Sequence, residues 1–358
     1  MREPLQTNRR RKAMSHNIKQ LYRPNIEHLQ ALCHKDERWL ILVMADPDAI
    51  ASAIALRRLL THRVEEVAFA RINEIKRPDN LSMLAYLRVK MPMFTREMLE
   101  KYDRFAVVDS QPGHHVEFEG ISFSVVIDHH PVTEILNSPP DALIDVRPKY
   151  GSCSTILMGY LKAGGVRPGK MLATAMLYGI RVDTGNFSHK TTVADMRAFQ
   201  TLSKLADQEK LLRIARNEFF MPWIKPFSEA LNSIQSIGAG KFIFFNDVPN
   251  ADLLVLTVDF LMRIHEVRWA AVAGVEGHHL VVSLRSDGVY NVGKLAETAL
   301  GEFGTAGGHH TMARAEIPLK NIPDENLGQF VINRLRQNLK RKKTGTRSAP
   351  NGSAPKAS

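Results

Sequence analysis

Between residues 38 and 183 short, unbroken apolar runs alternate with stretches whose apolar residues recur at helical spacing. "WLILVMAD" reads as a strand buried on both faces, and "DAIASAIALRRLL" follows it with a period near 3.6. "VEEVAFARI", "RFAVVDS" and "FSVVIDHH" predict further strands, and "DALIDV" is a candidate for another. "NLSMLAYLRV", "FTREMLEKY", "CSTILMGYLKAG" and "KMLATAMLYGI" predict helices. This β-α-β order predicts a parallel sheet covered on both faces. From 191 to 235 the pattern is helical throughout ("TVADMRAFQTLSKLA", "EKLLRIARNEF", "KPFSEALNSIQ"), which predicts a connector. A smaller α/β domain is predicted over 236–325. Its strands are "KFIFFND", "ADLLVLTVD", "WAAVAGVEG", "HHLVVSLRS" and "ARAEIP", and its helix is "NVGKLAETALG". The run "LGQFVINRLRQNLKRKK" predicts a basic helix over 326–343 with Phe330, Leu335 and Leu339 on its apolar face.

Charge changes the picture at the two ends. The net charge is +11, of which residues 1–12 carry +4 and residues 334–358 carry +8, leaving −1 for 13–333. The body is therefore nearly neutral between basic tails, expected to be disordered over 1–15 and 344–358. Such tails keep a protein soluble; the alternative is a loose, salt-dependent hold on RNA or DNA. Two cysteines, Cys33 and Cys153, suggest neither a disulfide framework nor a zinc finger. No apolar run approaches a membrane span, and the N-terminal residues lack the apolar stretch of a secretory signal. A cytoplasmic, reducing location fits.

The polar residues that interrupt the first domain gather at the ends of its strands. "MADPDAIAS" places Asp46 and Asp48 after the first, and "FAVVDS" ends on Asp109. "VVIDHHPV" ends on Asp128, His129 and His130, and "LYGIRVDTGNFSH" carries Asp183 past an apolar helix. Ligands of open parallel sheets bind beyond the carboxyl ends of the strands, so these groups are expected to converge. One Asp in such a place is commonly a helix cap, and Asp48 taken singly reads that way; five such ends in one domain do not. Convergent carboxylates repel and are costly to bury without positive charge. Oxygen ligands with one or two imidazoles suit Mn²⁺ best, with Mg²⁺, Co²⁺ and Fe²⁺ compatible. Two ions sharing a bridging carboxylate would clamp the attacking and leaving oxygens of a phosphoryl displacement.

"DPDAIASA", "VVDS", "VIDHHP" and "GIRVDTGNF" follow the order of the four motifs of the DHH phosphoesterase superfamily, which this chain resembles. "VVSLRSDGVYNVGKLAETALGEFGTAGGHHTMARAEIP" resembles the DHH-associated C-terminal domain, marked by an Arg in a strand and a glycine loop ending in His. The layout is similar to the branch of short oligoribonucleases and 3′-phosphoadenosine 5′-phosphate phosphatases. The resemblance implies a catalytic domain over 38–190, a substrate-binding domain over 236–325 and an active site in the cleft between them. It implies metal ligation by Asp46, Asp48, Asp109, His129 and Asp183, with Asp109 as the bridge. His130 would face the scissile phosphate, with Asp128 supporting the site from behind. Arg285 would clamp a phosphate, while Gly307, Gly308 and His309 would receive a phosphate or a terminal nucleotide. His189 could meet substrate between the domains, although a structural role is the simpler reading.

The chain departs from the family at Leu42, where a histidine usually stands four residues before the first Asp. Ala51 and Ala306 replace usual glycines, and Met312 and Arg314 replace small residues. Leucine cannot ligate, so one metal site is expected to be weakened, whereas a second, built from Asp48, Asp109, His129 and Asp183, keeps its ligands. The expected activity is metal-dependent hydrolysis of a short oligonucleotide or nucleotide phosphate. The alternatives are a cyclic-dinucleotide phosphodiesterase and a nucleotide- or RNA-binding protein that has lost turnover. The sequence leaves a homodimer open.

Overall fold

The computed structural model describes residues 4–133, 138–188, 191–246, 248–323 and 326–344, and for 4–17 and 340–344 the backbone alone. His189 and residues 345–358 of the expected C-terminal tail lie outside the described residues. Two units divide the chain between Asn217 and Glu218.

The first unit begins with helix α1 (Pro4–Ala31), so the segment expected to be a disordered basic tail over 1–15 is helical from Pro4 onward. Tyr22, Ile26 and Leu29 of α1 are buried in the unit's core and hold the helix to it. Strand β1 (Arg38–Val43), helix α2 (Pro47–Leu60), strand β2 (Glu66–Arg71) and helix α3 (Pro78–Leu87) follow. Then come strands β3 (Arg104–Val108), β4 (Phe123–Asp128) and β5 (Leu143–Val146), and helices α4 (Cys153–Ala163), α5 (Lys170–Asp183), α6 (Val193–Ser203) and α7 (Gln208–Arg216). The sheet is parallel throughout, in the order β2-β1-β3-β4-β5. β1 reads as an unbroken apolar run because both its faces are covered. Trp39, Ile41 and Val43 join the core under the helices, and Leu40 and Leu42 join a second cluster with Phe118, Phe123 and Val126. Chain order reverses between β1 and β3, which is where such sheets bind ligands.

The second unit contains helix α8 (Ile224–Asn232), strands β6 (Gln235–Ile237) and β7 (Gly240–Phe245), helix α9 (Ala251–Leu261), and strands β8 (Trp269–Glu276) and β9 (His279–Ser286). Helix α10 (Val292–Leu300), strands β10 (Thr305–Gly308) and β11 (Met312–Pro318), and helix α11 (Leu327–Thr344) complete it. Its sheet runs β10-β11-β9-β8-β7-β6, with only β7 and β8 parallel. The connector expected over 191–235 is thus shared out: α6 and α7 belong to the first unit and α8 to the second. "ADLLVLTVD", expected as a strand, is helix α9. A short apolar run has no period to separate strand from buried helix. Here Asn250 decides it, its side chain accepting the Asp252 N–H as an N-cap. Among the described residues no helix is long and apolar enough to cross a membrane.

Candidate metal centre

The loop from β1 to α2 supplies two carboxylates with different duties. Asp46 caps α2, its Oδ1 accepting the Ala49 N–H at 2.8 Å. Asp48, wholly buried in the first turn, accepts the N–H groups of Cys153 at 2.5 Å and Ser154 at 2.9 Å, where α4 begins. The simple capping role therefore falls to Asp46. Helix α5 meets Asp48 at Gly179, where a Cβ would lie 2.8 Å from Asp48 Oδ1 and 2.9 Å from its Cα. Gly179→Ala is accordingly expected to push α5 off α2 and tilt Asp48. We expect a stability loss of about 1–3 kcal/mol, read as a lower melting temperature, together with weaker Mn²⁺ binding in a titration.

Asp109 follows β3 with φ of 59°, a left-handed conformation that Asp and Asn tolerate better than most residues. Its N–H is held by the Ile127 carbonyl at 2.9 Å. Such backbone conformations persist where surrounding structure enforces them, often at functional sites. His129 follows β4, and its Nδ1 lies 3.2 Å from the Tyr150 carbonyl oxygen. A carbonyl only accepts, so Nδ1 carries the proton and Nε2 of the neutral ring is bare. Nε2 lies 3.2 Å from Asp109 Oδ1 and 3.0 Å from Asp183 Oδ2, at the end of α5. Neither approach has hydrogen-bond alignment, and both His129 Nε2 and Asp109 Oδ1 are buried without a hydrogen-bond partner.

One ligating atom from each of Asp48, Asp109, His129 and Asp183 falls within 4.8 Å of the others. The electrostatics of this cage are unfavourable as they stand. Burial pushes the Asp48 carboxyl up to about 7, with Asp183 adding to the shift, and pushes Asp46 up to about 6. Burial raises Asp109 well above the usual carboxylate range, reinforced by Asp46 and Asp48. His129 is raised to about 12, because Asp109 and Asp183 outweigh the opposing effect of its burial. Without a cation the His129 ring keeps a second proton on Nε2 beside Asp109 and Asp183; once that proton leaves, three carboxylates and an imidazole nitrogen aimed at one point form a donor set that suits a divalent cation. Asp46 stands beside this set and is not part of it. Leu42, fully buried in the apolar cluster, brings no ligand.

A second grouping brings His130 to Asp109 and His129. His130 Nδ1 donates to Asp128 Oδ1 at 2.8 Å, and Gln111 Nε2 donates to Asp128 Oδ2 at 2.6 Å. Asp128 is wholly buried; burial alone would raise its carboxyl, but the bonds from His130 and Gln111 hold it below the usual range. It is thus an ionised anchor for His130, away from the four-ligand set. Gln111 also receives the Thr133 N–H at 2.8 Å, and the His114 ring centroid lies 5.7 Å from that of His130. Sequence reasoning missed Gln111 and His114, although "VVDSQPGHH" does set unpaired polar residues directly after a buried strand.

In the second unit Arg285 donates from Nε to Asp259 Oδ1 of α9 at 2.8 Å and from Nη1 to the Leu284 carbonyl at 3.0 Å. Gly307 and Gly308 belong to β10. At Gly308, with φ of 145°, a Cβ would lie 2.4 Å from the Met312 carbonyl oxygen, so only glycine fits. The His309 N–H donates to Met312 O at 2.8 Å, while the His309 and His310 carbonyls cap the start of α10 through Gly293 and Val292. Gly308 and His309 line an open hollow of about 650 Å³ with Asn291, Gly293, Lys294 and His310; neither Arg285 nor Gly307 lines it.

Two family models and several known proteins are similar to this chain. The DHH family N-terminal domain matches residues 40–180, and the DHHA1 domain matches residues 241–340. An uncharacterized protein of Methanocaldococcus jannaschii is 30% identical over 276 residues, 76% of this chain and 56% of the relative. An A-adding tRNA nucleotidyltransferase of Aquifex aeolicus is 25% identical over 259 residues, 66% of this chain and 30% of the relative. The chain thus spans about half or less of the curated relatives it matches. Among solved structures, an exopolyphosphatase-related protein from Bacteroides fragilis is similar with a TM-score of 0.69 at 17% identity, covering 90% of this chain and 97% of that one. RecJ from Thermus thermophilus, in complex with Mn²⁺, is similar with a TM-score of 0.51 at 16% identity, covering 89% of this chain and 54% of that one.

Proposed function

This chain belongs to the DHH phosphoesterase superfamily and carries its DHHA1 domain, and from that we propose a metal-dependent hydrolase of short oligonucleotides or of nucleotide phosphates such as 3′-phosphoadenosine 5′-phosphate. The observation that supports the reading is His129: its Nδ1 is fixed on the Tyr150 carbonyl, and its buried Nε2 is aimed between carboxylate oxygens of Asp109 and Asp183, 3.2 and 3.0 Å away. Asp48, Asp109, His129 and Asp183 would hold the ion, Mn²⁺ in our proposal, with Asp46 beside them. When bound, such an ion lowers the pKa of a water and neutralises charge on phosphate oxygens.

The chain's own groups do the rest. Asp128 fixes the Nδ1–H of His130, which leaves the other ring nitrogen of a half-exposed imidazole to meet a phosphate oxygen or carry a proton. Gln111 keeps Asp128 ionised and in place. In the second unit we assign substrate contacts to Arg285, Gly307, Gly308 and His309. Arg285 would exchange the carboxylate of Asp259 for a phosphate of similar charge and fork geometry. The near-neutral body of residues 13–333 favours short substrates over a long nucleic-acid channel, and we place the protein in a reducing, cytoplasmic setting.

The test is incubation with Mn²⁺ and a labelled RNA dinucleotide or pentanucleotide, beside the Asp109→Ala/His129→Ala double variant. Wild type is expected to release mononucleotides and the variant none. If the folded wild type leaves these, 3′-phosphoadenosine 5′-phosphate and cyclic dinucleotides all intact, the hydrolase reading fails and a nucleotide-binding protein takes its place.

A further inference from the structure

Within the first unit, α1, α4 and α6 enclose a hollow of about 320 Å³ that shares no side chain with the metal-centre ligands. That size lies within the range of small-molecule sites. Leu21, Met158 and Ala198 make its lining apolar, Lys162, Arg197 and Lys204 stand at it, and among the described residues no carboxylate lines it. Among the described residues none of these three cations is in an ion pair. Burial lowers the pKa of the Lys162 ammonium, and the charges of Lys19 and Arg197 lower it further. A partly buried lysine repelled by two cations, with no acid at the hollow among the described residues, is placed to meet an anion. A neighbouring hollow shares Met158, Lys162, Thr201 and Lys204 and adds Arg167, so the positive charge continues onto the loop that follows α4.

The rest of the lining is apolar. Gly159 leaves room on α4 for the chain's own buried Tyr22 ring, where a Cβ would come within 2.3 Å of it, and that ring forms part of the wall. Tyr150 lines the same hollow. A free phosphate would leave the apolar lining unused, and an uncharged aromatic molecule would leave three cations unpaired. We propose that this hollow binds a nucleoside monophosphate, with its phosphate among Lys162, Arg197 and Lys204 and its base against Leu21, Tyr150 and Met158. The site is independent of whatever the metal centre hydrolyses. Tyr150 nevertheless joins the two, since its carbonyl holds His129 Nδ1.

The test is equilibrium dialysis of AMP against the full chain in EDTA at low salt, which keeps the metal centre out of the measurement. One saturable site is expected in the wild type and equally in Asp109→Asn. Affinity is expected to fall at least tenfold in Lys162→Gln/Arg197→Gln. Thr201→Trp, which keeps every charge but fills the mouth at an exposed position, is expected to lose as much, and it decides the matter if the double variant does not fold. Adenosine and inorganic phosphate are each expected to bind at least tenfold more weakly than AMP. The proposal is overturned by the absence of saturable AMP binding, by binding that survives Thr201→Trp, by inorganic phosphate binding as tightly as AMP, or by loss of the site in Asp109→Asn.

Discussion

Asp109→Asn is expected to raise the melting temperature of the metal-free protein while abolishing its stabilisation by Mn²⁺ and lowering hydrolysis by at least ~10³-fold, about 4 kcal/mol on the barrier. The Asp109 side chain is 2% exposed, and burial together with Asp46 and Asp48 drives its carboxyl well above its usual range. Its Oδ1 has no hydrogen-bond donor. Asparagine keeps the volume, tolerates the left-handed backbone and leaves the N–H bond to Ile127 intact. What it removes is a carboxyl whose ionised form burial and the neighbouring acids penalise, so at alkaline pH we expect the metal-free fold to gain about 1–2 kcal/mol, a few degrees for a unit of this size. Ordinary buried polar substitutions go the other way, by about 1–3 kcal/mol. The sign therefore separates a carboxylate kept for a ligand from one kept for the fold. Thermal melts of both proteins in EDTA and in Mn²⁺ measure it. A lower metal-free melting temperature together with retained Mn²⁺ stabilisation would sink the assignment.

Why that residue could be picked out beforehand, and others not, follows from what leaves a trace in residue type. Asp48, Asp109, His129 and Asp183 are ionisable groups at the ends of apolar runs, where a buried acid or imidazole has no structural excuse, and the topology brings those ends together. The groups that aim them left no such trace. Asp48 is held by the amides of Cys153 and Ser154, 105 and 106 residues away, and His129 by the carbonyl of Tyr150. Every residue has an amide and a carbonyl, so only the fold reveals which ones matter. Gly179 is similar: its meaning lies in the approach of α5 to α2, which no local pattern encodes.

The misread elements have the same origin. α9 is apolar on most sides because the second unit's core wraps it, which erases the polar face that would have marked its period. The segment 4–15 is polar and basic, and its helix continues into a half anchored by Tyr22, Ile26 and Leu29, too far along for the first residues to announce it. Glycines 307 and 308 were read for substrate. Gly308 is also required by the backbone itself, since its φ is 145° and a Cβ there would meet the Met312 carbonyl oxygen at 2.4 Å.

The gain in melting temperature from Mn²⁺ is expected to grow steeply between pH 5 and 8. In the metal-free protein Asp48 titrates near 7 and Asp46 near 6, against about 3.9 in an unfolded chain. A raised carboxyl means that the folded state binds more protons, so its stabilising effect is complete below pH ~4 and is lost as pH rises through 6 and 7. His129, raised to about 12 from about 6.5, has the same sign: its contribution is complete below 6.5 and is lost progressively as pH rises from there toward about 12. Asp128, held low, acts in the opposite direction, and only as pH falls below ~4. Whichever atoms carry them, the buried cluster holds more protons at neutral pH than the same groups would in water. Of the interval over which the Asp48 pKa is raised, two pH units lie between pH 5 and 7, worth on the order of 3 kcal/mol, so the metal-free melting temperature is expected to drop by roughly 5–10 °C from pH 5 to pH 8. A divalent ion takes the place of those protons. Melts in saturating Mn²⁺ are therefore expected to be nearly flat over the same interval, and the Asp109→Asn protein in EDTA flatter than wild type. A metal-free melting temperature that rises from pH 5 to 8 would mean that the carboxylates are already compensated, and that the cage does not wait for a cation.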